Sequence, residues 1–187
     1  MKRRNFLVGV GGTAVGGSAL IGSGAFSRVE SDRAVSIEVA KDPDAYLGLD
    51  RCDSKNSKNY AHLDENGHGY LEITDSGNGG EGVNSNSTTE FDDIFQVCNQ
   101  GKADMTFHID ASEMDVRDGG VVEFYRNDAV IGSSEHNEPE PIDIDLGECV
   151  CIGVRTKTHG VDATVDEPLV DDQKVTLVAN APGAGGE

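Results

Sequence analysis

Apolar and polar side chains alternate with a period of two along most of this chain, and the alternation is cleanest at residues 89–110, TEFDDIFQVCNQGKADMTFHID. Phe91, Asp93, Phe95 and Val97 fall on one side of a pleat. Further on, Ala103, Met105, Phe107 and Ile109 alternate with Asp104, Thr106, His108 and Asp110. A period of two sets one apolar face on a core and leaves the other wet. The pattern predicts two strands joined by a tight turn at Asn99-Gln100-Gly101, with Gly101 free to take positive φ. Three of the six Phe lie here, so this hairpin is expected to seed the core.

Other stretches repeat the pattern. Residues 34–40, AVSIEVA, set Val35, Ile37 and Val39 against Ser36 and Glu38 and read as a strand. Residues 45–49 form a short apolar piece after the turn Asp42-Pro43-Asp44, and 51–58 read as polar turn. A brief edge segment is expected at 60–63 and a strand at 70–74, YLEIT. Residues 75–87 are a loop of Gly, Asn and Ser. Residues 111–118 form a polar crossing with room for one helical turn. Asn127-Asp128 marks a second hairpin between 121–126 and 129–132. Residues 133–141 are an acidic, Pro-bounded loop. Strands at 142–146, 149–156 and 174–179 follow, and no segment sustains a helical period. Nine or ten short strands with turns between them predict an all-β chain, best fitted by a two-sheet jelly-roll-like β-sandwich.

Charge modifies this picture. The 187 residues include 15 basic and 34 acidic side chains, a net charge of −19. Such a surface repels nucleic acid and anionic headgroups, and it stays hydrated where concentrated salt screens repulsion. The excess is spread along the chain, which points to life in high salt. Aromatics make up 5% and Trp is absent, so the core must rest on Val, Ile, Leu and Phe.

The start of the chain reads as an address. Arg3 and Arg4, then Phe6 and Leu7, precede a weakly apolar, Gly-rich run and the small residues Ser23-Gly24-Ala25. This resembles a twin-arginine signal peptide, cleaved after Ala25, which exports proteins already folded. The run is short for a membrane anchor. The expected organisation is a leader at 1–25, a flexible start at 26–33, the sandwich at 34–180 and a loose tail at 181–187. Losing Lys2, Arg3 and Arg4 leaves 12 basic against 34 acidic residues, −22. The expected location is the cell surface or the extracellular space.

Residues 22–39 with DAYLGL at 44–49, residues 82–101, 147–154 and 175–179 together resemble a family of haloarchaeal secreted proteins of unknown function. That family is similar to the TasA/camelysin-like jelly-roll fibre proteins, which build biofilm fibres and archaeal bundling pili. The resemblance implies a sandwich completed by the N-terminal strand of the next subunit. Here that role would fall on Val35, Ile37 and Val39 at 34–40, or on residues 26–32.

Candidate chemistry is sparse. Cys52, Cys98, Cys149 and Cys151 are four thiols in an exported chain, where disulfides persist. Cys149 and Cys151 lie two apart on one strand and share a face, so each is expected to meet a different partner, one Cys98 and the other Cys52. Free thiols and a metal site are the alternatives, and C-x-C without further ligands is weak for zinc. Asn86-Ser87-Thr88 is an N-glycosylation sequon, making Asn86 a glycan candidate. The histidines at 62, 68, 108, 136 and 159 are scattered, and H-E-x-x-H is absent, which counts against a camelysin-like protease. His108 is expected to be solvated. Asp64-Glu65-Asn66-Gly67 and Asp92-Asp93 offer oxygen ligands for calcium but lack the spacing of a binding loop.

No catalytic residue, cofactor or metal is predicted. The sequence points to an exported structural protein, a filament or matrix subunit that partners itself or other surface proteins, with no nucleic-acid partner. The alternative is a secreted binding module that recognises a surface partner or glycan through loops 75–87 and 133–141.

Overall fold

The computed structural model describes residues 39–74, 79–135, 138–164 and 167–181. The signal motif Arg3, Arg4, Phe6 and Leu7, the cleavage position after Ala25, and Val35 and Ile37 lie outside the described residues.

The described chain is all-β. Its strands are β1 (Leu47–Arg51), β2 (Ala61–Leu63), β3 (Gly69–Leu71), β4 (Thr88–Asn99), β5 (Met105–Asp110), β6 (Val121–Arg126), β7 (Ala129–Ser133), β8 (Ile142–Ile144), β9 (Cys149–Lys157) and β10 (Thr176–Asn180). One short helix, α1 (Lys55–Tyr60), and 3-10 turns at Asp42–Asp44 and Arg117–Gly119 complete it. The larger sheet has the order β1-β4-β9-β6-β7, the smaller β10-β5-β8, and β2-β3 form a separate ribbon. Every pairing is antiparallel.

The expected central hairpin is not one. β4 pairs with β1 and β9 in the larger sheet, whereas β5 pairs with β10 and β8 in the smaller. Their apolar faces meet across the core: Ile94 and Val97 from β4 join Met105, Phe107 and Ile109 from β5. A period of two fixes which face is buried but not which strand lies alongside, so a sheet-switching corner has the same pattern as a hairpin.

Asn99 makes the corner. Its side chain is buried, and Nδ2 donates to the carbonyls of Ala103 (2.9 Å) and Ile144 (3.0 Å), while Oδ1 accepts from Gly101 N–H (3.1 Å). Its backbone N–H donates to Glu148 O, and its carbonyl accepts from Gly147 N–H. Gly101 does not use positive φ; Gly147, in the facing turn, does, at φ 80°.

β4 also departs from strict alternation. Its pairing with β9 shifts between Phe91↔Val154 and Phe95↔Ile152, four residues against two. Asp93 sits in this bulge at φ 52°, a conformation that Asp tolerates better than most residues. Asp93 is therefore exposed, not on the face of Phe91, Phe95 and Val97, and Ile94 turns into the core in its place.

The second hairpin forms as β6–β7, with Asn127 at φ 52°. β7 then approaches β5 so closely that a Cβ on Gly132 would lie 2.5 Å from the Ile109 carbonyl oxygen. Only glycine permits that approach. Between the sheets lie Phe107, Ile109, Ile131, Ile144 and Ile152, all fully buried, each contributing about 1.5–3 kcal/mol.

Residues expected to be turn became α1. Ser54 caps it by accepting from Ser57 N–H (2.9 Å), and the same hydroxyl donates to Asp93 O (2.7 Å) in the β4 bulge. Asn56 Nδ2 donates to Asp92 O (2.8 Å). The helix thus satisfies carbonyls that the bulge removes from the ladder. The strand expected at 70–74 is shorter and confined to the ribbon, and the apolar piece at 45–49 supplies β1.

Candidate functional site

The face of the larger sheet turned away from the core carries both disulfides. On β9, Val150, Ile152 and Val154 point into the core, so Cys149, Cys151, Gly153, Arg155 and Lys157 point out. Cys98 lies directly opposite Cys149 on β4 and bonds to it (S–S 2.07 Å). Cys52 follows β1 and bonds to Cys151 (S–S 2.06 Å). Because β4 lies between β1 and β9, the two bonds tie three adjacent strands together. Among the described residues no cysteine is free, so the free-thiol and metal alternatives fall away.

Further along this face is a charged lattice that the sequence pattern did not reveal. Arg155 stands between Glu90 on β4 and Glu123 on β6, in register with both. Its Nε donates to Glu90 Oε1 (2.7 Å) and a terminal nitrogen to Glu123 Oε2 (3.1 Å). Lys157 Nζ donates to Glu123 Oε1 (2.5 Å). The Glu123 side chain is only 7% exposed, so both of its oxygens are paired where water is largely excluded. The Tyr125 ring lies over Gly153, and Arg155 stacks on the ring at 4.7 Å. Tyr125 OH donates to Asp92 Oδ1 (2.6 Å). Burial, then the Asp92 hydrogen bond, pushes the phenol well above its ordinary range. The hydrogen bond to Glu90 makes Arg155 hold its proton more tightly still. Arg155 and Lys157 pair with Glu90 and Glu123, while Asp92, held by the Tyr125 hydroxyl, leaves the lattice with one carboxylate in excess.

The other candidates are dispersed. His62 stacks on Tyr70, His68 Nδ1 meets Asp64 Oδ2 at 3.2 Å, and His159 is exposed. His136 lies outside the described residues. His108 is not simply solvated: its Nδ1 is buried without a hydrogen-bond partner. Asp64 Oδ1 accepts from the N–H groups of Asn66 and His68 (both 2.8 Å), so it closes its own turn. Among the described residues no three His, Cys, Asp or Glu side chains converge as a metal set. Two surface depressions flank loop 133–141, one touching Ser134 and Glu135 and the other His108, Ser133, Glu138 and Pro139, and neither is lined by Phe, Tyr or Trp.

The sequon sits at the start of β4. Asn86 is exposed at φ 48°, and its Oδ1 accepts from Gly160 N–H (2.9 Å). The opposite end of β4 receives the N-terminal part of the described chain. There Gln100 Nε2 donates to Pro43 O (2.8 Å) and Gln100 N–H to Tyr46 O (2.9 Å). Val39, the last apolar residue of the candidate assembly strand, is 99% exposed. Tyr46, Leu63, Tyr70 and Leu71 are exposed as well. With Leu146 these are the large apolar side chains on the described surface, and five of the six precede β4.

No family model, curated protein or solved structure matches this chain. Two disulfides are compatible with an extracellular protein. No helix among the described residues is long and apolar enough to cross a membrane.

Proposed function

We propose that this chain is an exported structural subunit of a surface filament or matrix, joined to its neighbours by strand exchange. The observation that carries the reading is Val39. It ends an alternating apolar segment of strand type, yet it is 99% exposed and packs against nothing among the described residues. The sheets supply the complement. Among the described residues five strands face three, and β10 and β8 each have a partner on one side only. A strand added at such an edge gains backbone hydrogen bonds for affinity, and its alternate side chains set the register. Val35, Ile37 and Val39 would supply that register.

The finer topology is read as jelly-roll-like. The chain changes sheet between β4 and β5, between β5 and β6, and at each step from β7 to β10, as Greek-key connections do. Export through the twin-arginine route and adaptation to high salt belong to the same proposal. They rest on Arg3, Arg4, Phe6 and Leu7 and on the net charge of −19.

The test compares the mature chain from Phe26 with one beginning at Lys41, both in multimolar salt, by light scattering and electron microscopy. The proposal expects the longer chain to polymerise and the shorter to remain monomeric. Two identical monomers would sink it, and would leave recognition through loop 133–141 as the reading to pursue.

A further inference from the structure

We infer that Asn86 is a glycan attachment site and that the glycan stands at the end of β4 opposite Gln100. The sequon Asn86-Ser87-Thr88 has the residue types that an oligosaccharyltransferase requires, but a sequon inside a strand or a core is unusable. This one lies at a strand end, with Asn86 and Thr88 both exposed. The carboxamide has a defined orientation. Gly160 N–H donates to Oδ1 at 2.9 Å, and Nδ2 has no partner among the described residues. The nitrogen that would carry the sugar is therefore the free end of the group. Glycines nearby leave room: a Cβ at Gly82 or Gly160 would meet nothing within 4 Å.

The backbone here is held by two main-chain bonds, Asn86 N–H to Thr158 O and Thr158 N–H to Ser87 O, both 2.9 Å, and by the buried Thr158 hydroxyl, which accepts from Ser87 N–H (3.1 Å) and donates to Asn84 O (2.6 Å). They lie just beyond the last β4–β9 pair, Thr88↔Lys157, where local opening costs least. Presenting the sequon breaks the contacts of Thr158 but leaves the apolar core intact, since Asn86, Thr88 and Thr158 are not part of it. That matters for a chain delivered already folded, because the transferase then meets the sequon only in the native structure. The inference rests on the export reading in this respect.

The group transferred is an oligosaccharide from a polyisoprenyl phosphate donor. Nδ2 forms a bond to the anomeric carbon as the bond from that carbon to the phosphate oxygen breaks. The phosphate leaves with the bonding electron pair, and the amide loses one proton to a base of the transferase. No oxidant or reductant is involved.

The location has a consequence for assembly. β4 has 12 residues and separates the sequon from Gln100, where the N-terminal part of the described chain docks. At the rise of an extended strand that is roughly 35–40 Å. A glycan on Asn86 covers the turns around 79–87 and 158–162 and leaves the Gln100 end bare.

The test uses the full chain with its own leader, in a host that grows in multimolar salt and N-glycosylates its exported proteins. Wild type, Asn86→Asp, Thr88→Ala and Thr88→Ser are collected outside the cells and read by intact mass and glycopeptide sequencing. Asn86→Asp keeps the acceptor for Gly160 N–H and tolerates positive φ, so it removes the nitrogen and preserves the turn. Wild type and Thr88→Ser are expected to carry a saccharide mass on peptide 86–88, and the other two to carry none, with unchanged melting. Wild type found outside the cell with its bare mass, or added mass that persists in Asn86→Asp, overturns the inference. Retention of all four inside the cell is a failure of export instead. The same four chains on an unrelated cleavable leader then still decide the sequon.

Discussion

Gly153 has no side chain because Tyr125 occupies the space: a Cβ at 153 would fall 2.6 Å from Cζ of the Tyr125 ring. The ring in turn supports Arg155 and reaches Asp92, so one missing methyl organises the outer face of the larger sheet. Gly153→Ala should destabilise the protein by about 1–3 kcal/mol through overpacking. In a Tyr125→Ala background the same change should cost far less. Tyr125→Phe, which keeps the ring and loses the bond to Asp92, should cost about 1 kcal/mol. Urea unfolding of the four combinations measures the coupling, and additive costs would show that the ring does not rest on Gly153.

Asn99 should be among the least replaceable polar residues. Asn99→Asp retains an acceptor for Gly101 N–H but cannot donate to the carbonyls of Ala103 and Ile144. Each orphaned buried acceptor costs about 1–3 kcal/mol, and the new charge adds to it. Hydrogen exchange should show the loss first at 101–105 and 144–148, where the two sheets are joined. Uniform protection in the variant would remove Asn99 from this role.

Either disulfide should be worth about 2–5 kcal/mol, since each closes a long loop in the unfolded chain. The sequence separations are 99 for Cys52–Cys151 and 51 for Cys98–Cys149. Replacing either pair by alanine should lower the urea midpoint and raise the slope, because the unfolded chain expands without the cross-link. A midpoint that does not move would mean that the unfolded chain is already restricted without the bond.

Acid should weaken the fold through identified carboxylates. Asp64 is held below its ordinary value first by the His68 N–H, Asp110 by the Ser112 hydroxyl and Asp162 by the Thr164 N–H. Each binds a proton more weakly folded than unfolded. Its contribution is therefore present above the unfolded value, near 3.8, and is lost as pH falls through the lower folded value. Tyr125 has the opposite sign: its raised folded value contributes below the unfolded value of 10.0 and is lost as pH climbs beyond it. Removing one donor with Ser112→Ala should lower the urea midpoint at pH 6 and make little difference at pH 2. Molar salt keeps the general repulsion of an acidic surface screened in both measurements. A gap that stays constant with pH would exclude Asp110 as the cause.

What was legible in the sequence was facing, and what was not was partnership. Alternation placed Phe107 and Ile109 inside, and the two-residue spacing of Cys149 and Cys151 was enough to send them to different partners. The same alternation could not tell that β4 and β5 belong to different sheets, because a corner held by one buried side chain, Asn99, leaves no periodic trace. α1 escaped because six residues are too few to show a helical period; Ser54 and the bulge carbonyls decide it. Arg155, Glu90 and Glu123 escaped because the register that aligns them depends on a bulge at Asp93 that a list of charges does not contain.

The sulfur bridge beside β1 also settles how this molecule would respond to being stretched. A pull arriving at residue 39 can straighten the chain only as far as Cys52, about 45 Å at full extension. Beyond that the force crosses directly to Cys151, and a pull that leaves beyond Cys151 bypasses the residues between them. The N-terminal side of such a subunit would lengthen by a short, fixed amount and then stop, with the strands from β2 to β8 shielded by the bridge.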